Sequence, residues 1–73
     1  MNPLYIQVKK QITESLVNAE WVPGKSIPSE IELANRYKVS QGTVRKAIDD
    51  LVADKILIRM QGKGTFVSTH NEE

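Results

Sequence analysis

Apolar side chains recur every four residues at Leu4, Val8, Ile12 and Leu16, with Tyr5 and Ile6 beside the row. That spacing lines one face of an amphipathic helix. Asn2 is a favoured N-cap and Pro3 suits a first helical position, so a helix of about 15 residues is predicted, ending near Asn18–Glu20. Trp21-Val-Pro-Gly-Lys25 follows as a connection that turns at Pro23-Gly24. Ser26-Ile27 is long enough for one rung of strand pairing before Pro28 intervenes.

Ser29-Glu-Ile-Glu32 is a capping box, with serine at the N-cap and glutamate three residues on. In the short helix it opens, Leu33, Ala34 and Tyr37 share the inner face and Ile31 points outward. Lys38-Val39 forms a tight turn, and Ser40 caps a third helix. There Val44, Ala47, Ile48 and Leu51 follow i, i+3, i+4, i+7, the cleanest helical stripe in the chain. Gly42, Arg45, Lys46 and Asp49 face away from it, with Gln41 at its edge. A glycine inside a helix costs roughly 1 kcal/mol relative to alanine, so Gly42 asks for a compensating reason. Asp49, four residues after Arg45, is expected to pair with it.

After Asp54-Lys55 the period changes. Ile56-Leu-Ile-Arg-Met60 and Thr65-Phe-Val67 are β-rich and flank the turn Gln61-Gly-Lys-Gly64, which predicts a β-hairpin. Trp21 and Phe66 are expected in the core. Tyr5 is expected either to pack on the hairpin or to bond a phosphate.

Length and composition narrow the function. A chain of 73 residues makes one small domain without room for a deep substrate cavity. It has no cysteine, and its one histidine, His70, stands in a polar tail. Neither a metal cluster nor a cofactor site is expected, and acid–base catalysis lacks its usual residues, so the chain does not read as an enzyme. No apolar run reaches the roughly 18 residues of a membrane span, and no signal pattern opens the chain, which predicts a cytoplasmic protein without a membrane partner.

Net charge is only +1, but it is segregated. Residues 33–48 carry Arg36, Lys38, Arg45 and Lys46 with no acid, and Lys55, Arg59 and Lys63 follow a run of three aspartates at 49, 50 and 54. Such a distribution can build a positive face on a near-neutral protein.

The predicted fold class is α+β: three helices and then a hairpin, a winged helix-turn-helix. In that arrangement the third helix enters the DNA major groove. Its outward Gln41, Thr43, Arg45 and Lys46 suit the task. Arginine bonds guanine O6 and N7 in pairs, and glutamine does the same to adenine N6 and N7. Ser40, Thr43 and the helix N-terminal amides favour phosphate. Glycine at position 42 would let the helix approach the base edges. Ile31 is a candidate for a thymine methyl. At the wing, Gln61, Gly62, Lys63 and Gly64 are candidates, with Lys63 entering the minor groove.

PSEIELANRYKVSQGTVRKAIDDL followed by ILIRMQGKGTFV resembles the DNA-binding domain of the GntR family of bacterial transcription regulators. PLYIQVKKQI and VPGKSIPSE are similar to its HutC-like branch. The resemblance covers residues 3–68. It implies a DNA-binding domain over 1–68 that takes palindromic operators as a homodimer, usually as a repressor. It also implies a C-terminal domain that binds a small effector and dimerises. No such domain follows here, so 69–73 is expected to be a tail or the start of a linker, and the chain a fragment rather than a stand-alone domain. Where the family usually carries arginine after P-S-E and after V-S, this chain has Ile31 and Gln41, while Arg45 keeps the family's third arginine. Lys38 and Ala19 replace usual glycines, which predicts strain at the turn. The family's typical base preference is therefore not transferred.

Two rival classes stand beside this reading. A winged helix can serve protein–protein contact, and an apolar patch around Ile31 would be its signature. A small enzyme or ligand-binding domain would need clustered histidines or paired inward carboxylates. RNA binding is a weaker variant, since stacking aromatics are missing from the basic surface. Each candidate also has a plainer role: Arg45 and Lys46 as solvated helix cations, Ser40 and Thr43 as caps, Gly62 and Gly64 as turn formers.

Overall fold

The computed structural model describes residues 3–69. Three helices, α1 (Leu4–Val17), α2 (Glu30–Tyr37) and α3 (Gln41–Ala53), precede a hairpin of β1 (Leu57–Met60) and β2 (Gly64–Val67). The hairpin is antiparallel, pairing Leu57 with Val67 and Met60 with Gly64 at its ends. The linker after α1 adds the single predicted rung, Ser26 against Phe66, secured by the Ile27 amide donating to the Thr65 carbonyl at 2.9 Å. The architecture is the predicted winged helix-turn-helix.

The two serine caps form as the spacing requires. Ser29 Oγ accepts from the Glu32 amide and Glu32 returns the bond to the Ser29 amide, closing the capping box. Ser40 Oγ accepts from the Thr43 amide at 3.1 Å. Between them the three residues Lys38, Val39 and Ser40 turn the chain. At the start of α1 the sequence expectation needs correction. Pro3 is the N-cap, with φ −56° and ψ 152°, not the first helical residue. Its ring fixes φ, but its extended ψ leaves only its carbonyl to the helix, accepting from the Ile6 and Gln7 amides. Asn2, expected as the cap, lies outside the described residues, as does His70.

The core gathers most of the predicted stripes, but Leu4, at the start of α1, is exposed, and Leu16 and Tyr37 are half-buried at its margin. Val8 and Ile12 of α1, Leu33 and Ala34 of α2, and Val44, Ala47, Ile48 and Leu51 of α3 are buried together. Trp21, Ile27, Leu57 and Val67 close it from the linker and hairpin. Phe66, expected here, is only half-buried, because it alternates with the inward Val67 along β2. Tyr5, partly buried against the core, presents its ring to Lys46 of α3.

Each helix is followed by a non-glycine residue in the left-handed region: Ala19 at φ 64°, Lys38 at φ 59° and Lys55 at φ 65°. Ala19 and Lys55 each sit in a Schellman turn. The Glu20 amide reaches the Ser15 carbonyl, and the Ile56 amide reaches the Leu51 carbonyl, both at 2.9 Å. Lys55 was not singled out by the sequence.

Ion pairs explain where several charges go. Arg36 grips Glu20 with both terminal nitrogens, at 2.7 and 2.8 Å, while its guanidinium carbon lies 5.2 Å from the Trp21 ring centroid. This arginine therefore fastens α2 to the end of α1. Lys9 pairs with Asp50 and Asp54, tying α1 to α3.

Candidate nucleic-acid interface

The first half of α3 presents its polar side chains outward because the Val44–Leu51 stripe turns inward. Gln41, Gly42, Arg45 and Lys46 are exposed and Thr43 is half-buried. Ser40 and Thr43 hydroxyls hydrogen-bond each other at 2.9 Å, so both serve the helix start before they serve anything else. A Cβ built at Gly42 would meet only Ser40 Oγ, at 3.9 Å. Nothing within the protein requires glycine there.

An open groove of about 530 Å³ separates the start of α2 and α3 from the wing. Ile31, Gln41, Gln61, Gly62, Lys63 and Gly64 line it together, with Glu30, Arg59 and Met60. Residues from three distant stretches of sequence thus share one surface. Ile31 is 57% exposed on this wall. Arg45 and Lys46 stand on the next turn of α3, outside the groove lining. At the wing tip the Lys63 amide donates to the Met60 carbonyl at 2.9 Å, and Gly62 (φ 78°) and Gly64 (φ 115°) take conformations that L side chains rarely adopt. Beyond the adjoining residues, no protein atom lies within 4 Å of a Cβ built at either glycine, so within the protein it is backbone conformation and not crowding that favours glycine there.

The expected Arg45–Asp49 pair does not form. Arg45 donates from Nε and Nη2 to Glu30 Oε1, at 3.2 and 3.1 Å. Glu30 Oε2 accepts from Arg59 Nη2 at 3.1 Å, and Arg59 Nη1 donates to Asp49. Asp49 therefore aims at the wing strand, because the nearer-in Glu30, with its side chain 22% exposed, already holds Arg45. Burial pushes the Glu30 carboxyl up, but hydrogen bonds and charge from Arg45 and Arg59 outweigh it and hold the group below its ordinary 4.5. Burial likewise pulls the Arg59 guanidinium down, and its bonds to Asp49 and Glu30 more than reverse this. Lys46 holds its ammonium 4.7 Å over the Tyr5 ring.

Sequence reasoning missed Glu30 and Arg59. Glu30 lies inside the capping box, where spacing assigns a task only to Glu32, and Arg59 counts in the sequence only as one cation of the positive face. Among the described residues, no group of three or more His, Cys, Asp or Glu is placed to hold a metal ion. No described helix is long and apolar enough to cross a membrane.

Comparison with known proteins gives consistent matches. The family model described as bacterial regulatory proteins, gntR family, matches residues 4–67. The probable fructoselysine utilization operon transcriptional repressor of Escherichia coli (strain K12) is 47% identical over 70 residues, covering 96% of this chain and 29% of that protein. The histidine utilization repressor of Pseudomonas putida is 46% identical over 66 residues, covering 90% of this chain and 27% of its own length. Among solved structures, AraR(DBD) in complex with operator ORE1 superposes with a TM-score of 0.89 at 44% identity, covering 93% of this chain and 83% of that one. The chain thus spans under a third of the length of these curated relatives.

Proposed function

Because the chain belongs to the GntR family of bacterial regulatory proteins, we propose that it binds double-stranded DNA in a sequence-dependent manner as the DNA-binding unit of a cytoplasmic transcription repressor. The observation that carries this reading is the exposed Gln41–Lys46 face of α3 standing beside the wing groove, on a fold shared with an operator-bound domain. The helix α3 lies in the major groove, where Gln41 and Arg45 read base edges. Ser40, Thr43 and Lys46 take phosphates, and Ile31 faces a thymine methyl. Gln61 to Gly64 bring Lys63 to the adjacent minor groove. The repressor assignment follows the names of the two curated relatives.

The action is physical binding, with no cofactor and no reaction. One 73-residue unit offers few cationic contacts, so its affinity is weak, and it falls with salt in proportion to the few phosphates it neutralises. Two copies on a palindromic operator recover affinity through linkage, which a dimerising, effector-binding region elsewhere in the regulator would supply.

Selection from a random duplex pool tests the proposal. The purified chain is expected to enrich a motif at low salt, with inverted half-sites when two copies are tethered. Failure to enrich any motif sinks the reading and turns attention to protein contact through the Ile31 wall.

A further inference from the structure

We infer that Glu30 is a positioning residue for sequence readout: its carboxylate fixes the Arg45 guanidinium with one edge free for a base, and locks that arginine to the wing through Arg59. The inference rests on the DNA-binding reading above and names what sets its specificity.

The geometry starts with donor arithmetic. A guanidinium has five N–H groups. Arg45 commits Nε and one hydrogen of Nη2 to a single oxygen, Glu30 Oε1. Both hydrogens of Nη1 and the second on Nη2 remain. The Nη1–Nη2 edge offers two parallel N–H groups that can meet guanine O6 and N7 as a bidentate pair. Glu30 therefore occupies the Nε side of the fork and leaves that edge complete.

Burial agrees with that division. The Glu30 side chain is 22% exposed and that of Arg45 64% exposed, so the carboxylate stands behind and the cation in front. The second oxygen of Glu30 holds Arg59 on β1, and Arg59 reaches back to Asp49 on α3. One carboxylate on α2 thus couples the third helix to the wing strand. A long arginine left unrestrained would have several rotamers to lose on docking. Held by Glu30, it meets DNA already ordered.

The same charge opposes DNA in a sequence-blind way, since it faces a polyanion. Positioning and repulsion give opposite signs in one experiment. Glu30→Gln keeps one acceptor but turns an NH₂ donor toward the second arginine, so both cannot be held. We take the duplex that the wild-type 73-residue chain enriches from a random pool, and a scrambled duplex of the same base composition. Affinity for each is measured at low salt below the thermal transition of each variant. Glu30→Gln is expected to lower the preference for the enriched duplex by about tenfold, the scale of one lost bidentate base contact. Binding to the scrambled duplex is expected to stay equal or tighten.

In an Arg45→Ala background, Glu30→Gln should leave the remaining preference unchanged, because Glu30 acts through Arg45. Should Glu30→Gln fail to fold, Glu30→Asp keeps the charge but shortens the reach. It is expected to lose preference with scrambled-duplex affinity unaltered. An unchanged preference, an equal loss on both duplexes, or an undiminished effect in the Arg45→Ala background would each overturn the inference while leaving the DNA-binding reading intact. A wild-type chain that enriches no duplex removes both.

Discussion

Lys46 on α3 holds its ammonium 4.7 Å over the ring of Tyr5 on α1. The contact ties the third helix to the first through a ring face, and it gives Tyr5 a task other than donating its hydroxyl. A cation over an exposed aromatic face is worth about 0.5–1 kcal/mol. Tyr5→Phe keeps the face and is expected to leave DNA affinity within about twofold, whereas Tyr5→Ala frees Lys46 and weakens binding severalfold. Fluorescence titration with a duplex at fixed salt checks this. If Tyr5→Phe proves as damaging as Tyr5→Ala, the hydroxyl bonds phosphate after all.

Arg45 and Lys63 differ in kind, and their removal should differ in kind. Arg45 carries a free bidentate edge on the third helix, while Lys63 sits at the wing tip between two glycines of positive φ. Arg45→Ala is expected to cost about 1–3 kcal/mol on the preferred duplex and to erase preference at one base position. Lys63→Ala should weaken every duplex alike and reduce the salt slope by about 1. Titrations of matched and scrambled duplexes across a salt series separate the two. Identical effects from both substitutions would remove the distinction.

The features legible in the sequence were those decided within about four residues. Ser29 and Ser40 cap their helices because their partners, Glu32 and Thr43, lie three positions on. The Val44, Ala47, Ile48 and Leu51 stripe is buried because helical period alone aligns it. Even the grouping of Ile31, Gln41 and the wing in one groove follows from element order once the helix-turn-helix is recognised. The Glu30–Arg45–Arg59–Asp49 chain was not legible. Its links join residues 15, 29 and 10 apart, and they depend on how α2, α3 and β1 meet. The rule pairing charges four apart chose Arg45 for Asp49. It could not know that a half-covered carboxylate from another helix had already taken that arginine.

Ala19 turns the chain out of α1 at φ 64°, exposed and without a side chain that could hydrogen-bond its backbone. A left-handed L-residue costs roughly 1–2 kcal/mol, partly offset in a glycine variant by greater freedom of the unfolded chain. Ala19→Gly is thus expected to stabilise the domain by about 0.5–1 kcal/mol, or a few degrees in Tm. Thermal and urea unfolding measure it. No gain would mean that the Schellman hydrogen bonds of Ala19 and Glu20 already relieve the strain.

Glu30 should leave a signature in the pH dependence of stability. Its carboxyl is held below 4.5 in the folded chain, so the folded state binds its proton less readily than the unfolded state does. The stability it contributes is then fully present above its ordinary carboxylate range, and is lost as pH falls through its lower folded value. Comparing wild type with Glu30→Gln between neutral and acid pH isolates this effect. The stability difference favouring wild type is expected to shrink below about pH 4.5. A difference that stays constant through the acid range would show that Arg45 and Arg59 contribute nothing through the charge.

Gly42 has space around it on the protein side, since a Cβ would touch only Ser40 Oγ at 3.9 Å. Its backbone is helical, within α3, so an added side chain meets no conformational penalty there. Gly42→Ala should therefore stabilise the free domain, by up to about 1 kcal/mol. Stability and binding then point in opposite directions if the missing side chain serves a close approach to the base edges. Gly42→Thr, bulkier and branched, should bind DNA more weakly than Gly42→Ala, while both fold. Melting curves give the first quantity and titration with the enriched duplex the second. Should both variants bind as wild type does, Gly42 is a tolerated residue in the first turn of α3, and the close approach comes from elsewhere on the surface.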